Sequence, residues 1–167
     1  MAQLEDKSPK LFRDWVAHLR TSLPELKAVG TELRPEDNHR YLVLHHQNGV
    51  RVPSWVVSDG TLRMMALTLL AYLPDFRGVC LIEEPEDGIH PKAIETVYQS
   101  LSSVYEGQVL LASHSPILLG LARLDQLLCF NKTQDGVEII RGDEHPLLQD
   151  WKGEVSLSDL FAAGVLG

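Results

Sequence analysis

The chain has 167 residues, 44% hydrophobic and 23% charged, which are the proportions of a globular domain with one core. Its formal net charge of −8 excludes a general electrostatic attraction to nucleic acid or anionic membranes, although it does not exclude a local basic patch. The amino end lacks the apolar stretch of a signal peptide, and the longest apolar-rich run, 64–73, is too short to span a bilayer. The sequence therefore predicts a cytoplasmic protein with no membrane contact.

The first predicted elements are a helix, a polar connector and a β-hairpin. Apolar residues recur at helical spacing over 11–23, and Pro24 limits the helix. Residues 31–38 are polar and predict a connector. Strand-like residues flank Asn48-Gly49, a dipeptide that is typical of tight hairpin turns.

From residue 60 onward, predicted helices alternate with short apolar strands. Such alternation is typical of an α/β fold with a largely parallel sheet and flanking helices that cover both of its faces. Ligands of these sheets bind beyond the carboxyl ends of the strands. The helices are predicted over 62–73, 91–105, 116–121 and the tail, and the strands over 79–82, 108–113, 126–130 and 136–141, the last two joined by a turn around Asp135-Gly136.

Two adjacent acids, Glu83 and Glu84, follow the first apolar strand of this region. Neighbouring carboxylates in a partly dry site repel each other, and a cation such as Mg²⁺ relieves the repulsion. Successive strand residues point to opposite faces, so one acid can bind the metal while the other polarises a water that attacks phosphate. A solvated acidic loop after a strand is the alternative.

Two more polar segments stand at predicted element ends. His114 follows the next strand, where it can donate a hydrogen bond to a terminal phosphate or cap the helix that Pro116 begins. Ser58, Gly60 and Thr61 precede another helix, and this combination suits an anion as well as it suits an ordinary helix cap.

In order and spacing these motifs resemble those of the ABC-like branch of AAA ATPases, which includes the RecF, SMC and OLD relatives. "SDGT" resembles their signature segment, "VCLIEEPE" the Walker B strand, "EDGIHP" the D-loop and "LLASHSP" the switch-histidine loop. The resemblance covers about 55–131 and implies the carboxyl-terminal part of a P-loop NTPase fold. It predicts an amino-terminal helix and connector over 1–40 and the ATPase subdomain over 41–167.

The resemblance also implies a role for each matching residue. Glu83 takes the position of the metal-side acid, where most ABC ATPases carry Asp, and Glu84 takes that of the water-activating glutamate. His114 matches the histidine that senses the terminal phosphate. Arg63 is expected to reach a phosphate, the acid pair or a partner on its own helix. The implied nucleotide contacts are Ser58, Gly60, Thr61, Arg63 and Asp87.

The P-loop, G-x-x-x-x-G-K-[ST], does not occur in the sequence, because no lysine follows a glycine. The resemblance implies ATP and Mg²⁺ as cofactors, and a P-loop-bearing polypeptide or same-family protomer as partner in a head-to-tail dimer. It also implies slow turnover by the chain alone. The implied setting is DNA repair or phage defence with an effector nuclease, whereas no basic stripe supports direct nucleic-acid contact.

Three other functions compete with this interpretation. The missing P-loop favours a nonenzymatic interaction module that kept the fold, whereas the intact acid pair, His114 and signature segment favour the ATPase. A Toprim-type nuclease needs a D-x-D motif, which does not occur here. An ABC transporter component usually has two consecutive glycines and a glutamine in its signature, unlike "SDGT".

Overall fold

The computed structural model describes residues 1–134, 136–148 and 155–164. The chain divides into two compact units, Met1–Ala112 and Ser113–Gly167. Each combines helices with strands, as expected of an α/β protein. The first contains α1 (Ala2–Lys7), α2 (Pro9–Ser22), β1 (Leu26–Leu33), β2 (Arg40–His46), β3 (Arg51–Pro53), α3 (Asp59–Leu69), β4 (Val79–Glu83), α4 (Pro91–Ser102) and β5 (Gln108–Ala112). The second contains α5 (Pro116–Leu121), β6 (Leu128–Thr133), β7 (Gly136–Arg141) and α6 (Leu157–Ala162).

The core of the first unit forms around α2, which confirms the helix predicted over 11–23. The apolar stripe of α2 is buried, and Trp15 and Leu19 are fully inaccessible to solvent. The indole Nε1 of Trp15 donates a hydrogen bond to the hydroxyl of Thr68 on α3 at 3.1 Å, which satisfies a polar group inside the core. Within the described ranges, no helix is both long and apolar enough to span a membrane.

The first sheet is antiparallel and has the order β1-β2-β3. Gly49 occupies the left-handed region at the turn between β2 and β3, which confirms the predicted hairpin. The predicted connector over 31–38 is wrong in its first part, because β1 extends to Leu33 and Thr31 lies opposite Leu42. In this part of β1 the polar Thr31 and Glu32 stand before an exposed Leu33, so the segment reads as a loop in the sequence.

Strands β4 and β5 pair in parallel, with Glu83 opposite Ala112. The expected largely parallel sheet is confirmed for this pair only, since the other pairs of the described strands are antiparallel. The strand predicted over 126–130 is part of β6, which pairs antiparallel with β7 in a hairpin where Thr133 lies opposite Gly136. Asp135 of the predicted turn lies outside the described residues.

One face of the β4–β5 pair is exposed, although burial on both faces was expected. Val79 and Leu81 are 61% and 75% exposed, and Leu110 is 39% exposed. The alternate residues, such as Cys80 and Ile82, are half-buried. Parallel sheets are normally covered on both faces, so this exposed β4–β5 face (Val79, Leu81 and Leu110) is an unusual surface.

The predicted helix starts are confirmed by their caps. The Ser58 hydroxyl caps α3, the His90 ring accepts a hydrogen bond from the first turn of α4, and the Ser115 hydroxyl caps α5. Proline occupies the first turn of both α4 and α5, where its missing N–H is not needed. The predicted division of the chain at residue 40 stays a prediction.

Candidate functional site

The acid pair lies where β4 becomes a turn, which we call the acid turn (83–87). Glu83 ends the strand with an exposed side chain, and the backbone N–H of Glu84 extends the ladder to the carbonyl of Ala112 at 2.8 Å. Glu84 has a φ of +46°, in the left-handed region that costs a non-glycine residue about 1–2 kcal/mol. Its carbonyl accepts a hydrogen bond from the N–H of Asp87 at 3.0 Å. This closes a β-turn with Pro85 at the position that proline favours.

The guanidinium of Arg63, on α3, contacts the backbone of the acid turn. Its Nη2 donates to the carbonyl oxygens of Glu83 at 3.0 Å and Glu84 at 2.6 Å, and its Nη1 lies 3.5 Å from a carboxylate oxygen of Asp87. Asp87 is 76% exposed, so this ion pair contributes little, whereas charge-assisted hydrogen bonds to carbonyls are stronger. A phosphate, the acid pair and a partner on its own helix were expected for Arg63. In the structure it contacts the acid pair, through the backbone carbonyls of Glu83 and Glu84.

The predicted signature segment packs directly against the predicted D-loop. A Cβ added to Gly60 would lie 1.9 Å from the carbonyl oxygen of Gly88, so glycine is the residue that this contact tolerates. Gly88 itself has a φ of +68°. The Ser58 Oγ accepts a hydrogen bond from the backbone of Thr61 at 3.3 Å, and the two hydroxyls lie 2.9 Å apart. The structure thus places the three predicted signature residues beside the predicted D-loop.

A cleft of about 580 Å³ opens beside these two segments. Its wall includes the amino ends of α3 and α4, where backbone N–H groups favour an anion. Among the described residues that line it, Lys92 is the one lysine or arginine, and none is acidic. The lining includes Ser58, Gly60, Thr61, Gly88, His90 and Lys92.

His114 belongs to the second unit and is exposed. It follows the end of β5 by two residues, and its ring stacks on Phe161 of α6 with centroids 6.4 Å apart and an angle of 28°. The residue that caps α5 is Ser115, whose Oγ accepts a hydrogen bond from the N–H of Leu118 at 3.5 Å. Capping of α5 was the alternative role for His114, and Ser115 fills that role.

Magnesium in nucleotide sites needs few protein ligands, because it keeps water and binds phosphate oxygens beside one or two carboxylates. Within the described ranges, no group of three or more His, Cys, Asp and Glu side chains could hold a metal ion. Glu83 offers an exposed carboxylate at a strand end, and this single hard ligand suits magnesium bound together with a nucleotide.

Sequence reasoning missed several of these contacts. It did not find the packing of Gly60 on Gly88, the stacking of Phe161 on His114, or the position of Lys92 in the cleft. Lys92 carried a usable signal, because it directly follows the proline that begins the predicted helix. The other two contacts join segments distant in sequence and left no local pattern.

Comparison with known proteins identifies the family. Residues 3–120 match the profile of an AAA domain family whose description names the AbiEii toxin and type IV TA systems. This match covers most of the chain, which therefore belongs to that family of AAA domains. The expected ABC-like AAA ATPase family is confirmed at this level, while the assignment to a carboxyl-terminal half stays a prediction.

A structural match points to the same fold. A solved chain from work on the structural biochemistry of ATP-driven dimerization and DNA-stimulated activation of SMC ATPases matches with a TM-score of 0.60. The match covers 83% of this chain and 86% of that chain at 11% sequence identity. At this low identity the similarity shows the fold alone, which is the P-loop NTPase fold of an SMC ATPase.

Proposed function

We propose that the chain supplies one half of a composite ATP-hydrolysing site in an ABC-like AAA ATPase. The observation that carries this proposal is the acid turn. Two glutamates stand at the carboxyl end of a parallel strand, and the turn that they begin is hydrogen-bonded to the signature helix through Arg63. Ligands of parallel sheets bind at that end of the strands, and membership of the AAA family makes ATP the ligand to test.

Within this proposal, Glu84 is the general base. Its carboxylate orients a water and accepts its proton as the water attacks the terminal phosphate. Glu83 holds Mg²⁺, which when bound neutralises charge on the phosphates. His114, which follows the strand paired with β4, donates a hydrogen bond to the terminal phosphate.

The signature segment is the second part of the proposed site. Ser58, Gly60 and Thr61 contact the phosphates of a nucleotide held by another protomer, through the hydroxyls of Ser58 and Thr61 and the backbone N–H groups at the amino end of α3. The cleft beside them, whose described lining includes Lys92 and no acidic residue, supports the approach of an anion. Asp87 belongs to the proposed protomer interface, and Arg63 belongs to the nucleotide site through the acid turn that it contacts.

The proposed partner brings the P-loop that this sequence lacks. It is either a separate polypeptide or a same-family protomer in a head-to-tail dimer. The exposed β4–β5 face supports a partner that packs on this sheet, because parallel strands are normally covered on both faces. The SMC ATPases of the similar structure undergo ATP-driven dimerization, which favours a same-family protomer. We place the complex in the cytoplasm, in DNA repair or phage defence with an effector nuclease.

Steady-state hydrolysis of Mg²⁺-ATP tests the proposal. The chain is assayed alone and with a polypeptide carrying the P-loop half of an AAA domain of this family, and Glu84→Gln is the matched variant. We expect slow turnover alone, faster turnover in the mixture, and its loss with Glu84→Gln by about 100-fold or more, as for removal of a general base. Robust turnover by the chain alone would contradict the need for a partner.

A nonenzymatic interaction module is the second candidate. The observation that favours it is the exposed β4–β5 face, which a binding partner could cover without nucleotide. Binding of the P-loop polypeptide with the same affinity in the presence and absence of Mg²⁺-ATP, and without turnover, would favour this module over the ATPase.

A further inference from the structure

Arg63 reaches two successive carbonyl groups with a single nitrogen, and a regular strand does not allow this. Successive carbonyl groups of a strand point in opposite directions. Here Nη2 donates to both Glu83 and Glu84, at 3.0 and 2.6 Å. The left-handed conformation of Glu84, with its φ of +46°, turns the chain so that the two carbonyls converge on one donor.

The same conformation is unfavourable for a residue with a side chain, so it needs compensating contacts. The guanidinium supplies two charge-assisted hydrogen bonds to these carbonyls. The N–H of Asp87 adds a third bond, to the Glu84 carbonyl. Arg63 is thus one of the groups that hold Glu84 in its orientation.

An independent contact joins the same two segments. Gly60, one turn before Arg63 on α3, packs so closely on Gly88 that a Cβ would meet its carbonyl oxygen at 1.9 Å. Nη1 of Arg63 also lies 3.5 Å from Asp87, between the acid pair and Gly88 in the chain. The signature helix therefore contacts the 83–88 loop at two places. Arg63 contacts its start, at the acid pair, and Gly60 contacts its end, at the D-loop.

We propose that Arg63 is a positioning residue that fixes the Glu84 peptide against the signature helix, so that the acid pair and the signature segment move as one body. Arg63 then acts on nucleotide through the backbone of Glu83 and Glu84. The structural part of this inference stands alone, whereas its effect on hydrolysis rests on the proposed function.

Hydrogen exchange in the isolated chain tests the structural part. The variants are Arg63→Ala and Arg63→Lys, and Arg13→Ala removes an exposed arginine of α2 as the matched control. We expect the amide of Asp87 to exchange about tenfold faster in Arg63→Ala, because its acceptor is no longer held. In Arg63→Lys the change should be smaller, since one ammonium can donate to both carbonyls. Unchanged Asp87 exchange in folded Arg63→Ala would overturn the proposal.

Turnover in the mixture with the P-loop polypeptide tests the effect on hydrolysis. Arg63→Ala should lower kcat by about tenfold or more with little change in KM, because the variant misplaces a base without removing a phosphate contact. Guanidinium ions should restore part of kcat in Arg63→Ala and none in Glu84→Gln. A raised KM with unchanged kcat would overturn the positioning role and assign Arg63 to phosphate binding.

The two measurements separate the two hypotheses. If the wild-type mixture does not turn over ATP, the proposed function fails, and exchange of the Asp87 amide still decides whether Arg63 positions the acid turn. Circular dichroism establishes that each variant is folded. If Arg63→Ala does not fold, Arg63→Lys is compared with the wild type. The shorter lysine side chain should still raise the exchange rate of the Asp87 amide, and an unchanged rate would overturn the positioning role.

Discussion

At the scale of single residues, the packing of Gly60 against Gly88 leaves no room for a side chain at position 60. Replacing Gly60 with alanine would place a Cβ 1.9 Å from the backbone of Gly88, which cannot yield as a flexible side chain can. We expect Gly60→Ala to lower the free energy of unfolding by about 1–3 kcal/mol, as overpacking does. Urea denaturation measures this change.

Gly30→Ala is the matched control for this prediction. Gly30 lies in β1, and its added Cβ would have its nearest neighbours at 3.9 Å. Its substitution should change the free energy of unfolding by no more than about 0.5 kcal/mol. Equal effects of the two substitutions would show that Gly60 is not packed against Gly88 as the structure has it.

The sequence singled out candidate site residues but not the contacts that they make. Glu83, Glu84, Ser58 and Thr61 were identified by position at the ends of predicted elements, which depends on local pattern only. The donation of Arg63 to two carbonyls could not be predicted, because it depends on the left-handed φ of Glu84. No local preference of glutamate favours that conformation.

At the scale of elements, a polar cluster joins α2 and α4 with the 3-10 turn that follows α3. Nδ1 of His18 lies 2.8 Å from the Tyr72 hydroxyl oxygen and 3.3 Å from the Ser100 hydroxyl oxygen. Burial lowers the pKa of His18, and burial also raises the pKa of Tyr72. The helices therefore pack around a neutral imidazole.

The lowered pKa of His18 predicts a stability that depends on pH. The unfolded chain binds a proton at His18 more readily than the folded chain does. The contribution of neutral His18 to the free energy of unfolding is therefore complete above the unfolded pKa of about 6.5, and it is lost as pH falls through the folded pKa. Urea midpoints should fall between pH 7 and pH 5, and less steeply in His18→Gln. An unchanged slope in His18→Gln would contradict the assignment.

Helices were predicted more reliably than sheet topology. Helix starts follow from local caps such as Ser58 and from proline at the first turn, so α3, α4 and α5 begin near their predicted positions. Strand pairing depends on contacts distant in sequence. The pairing of β1 with β2 was missed because Thr31 and Glu32 read as a polar connector, and strand 128–133 pairs antiparallel where a largely parallel sheet was expected.

At the scale of the whole molecule, the exposed β4–β5 face is the feature that the sequence could not show. A continuous apolar run such as "VCLI" has the same pattern whether both faces of its strand are buried or one meets solvent. The structure resolves this, with Leu81 at 75% exposure.

Substitution of Leu81 tests whether this face binds the proposed partner. Leu81→Lys should leave the free energy of unfolding of the chain within about 0.5 kcal/mol of wild type, since the side chain is already in water. It should weaken binding of the P-loop polypeptide by about tenfold or more. Val50→Lys, at an apolar residue that is 51% exposed beside the β2–β3 turn, is the control. Equal affinities of the two variants, measured by calorimetry, would exclude this face from the interface.

The most direct measurement of the central claim is a titration of ATP turnover. The chain is held at fixed concentration, the P-loop polypeptide is added stepwise, and Mg²⁺-ATP hydrolysis is followed with wild type and Glu84→Gln. The composite site predicts a rate that rises and saturates with the partner in the wild type and stays at background in Glu84→Gln. A rate that depends only on the added polypeptide, and is the same with Glu84→Gln, would contradict the claim that this chain provides half of the site.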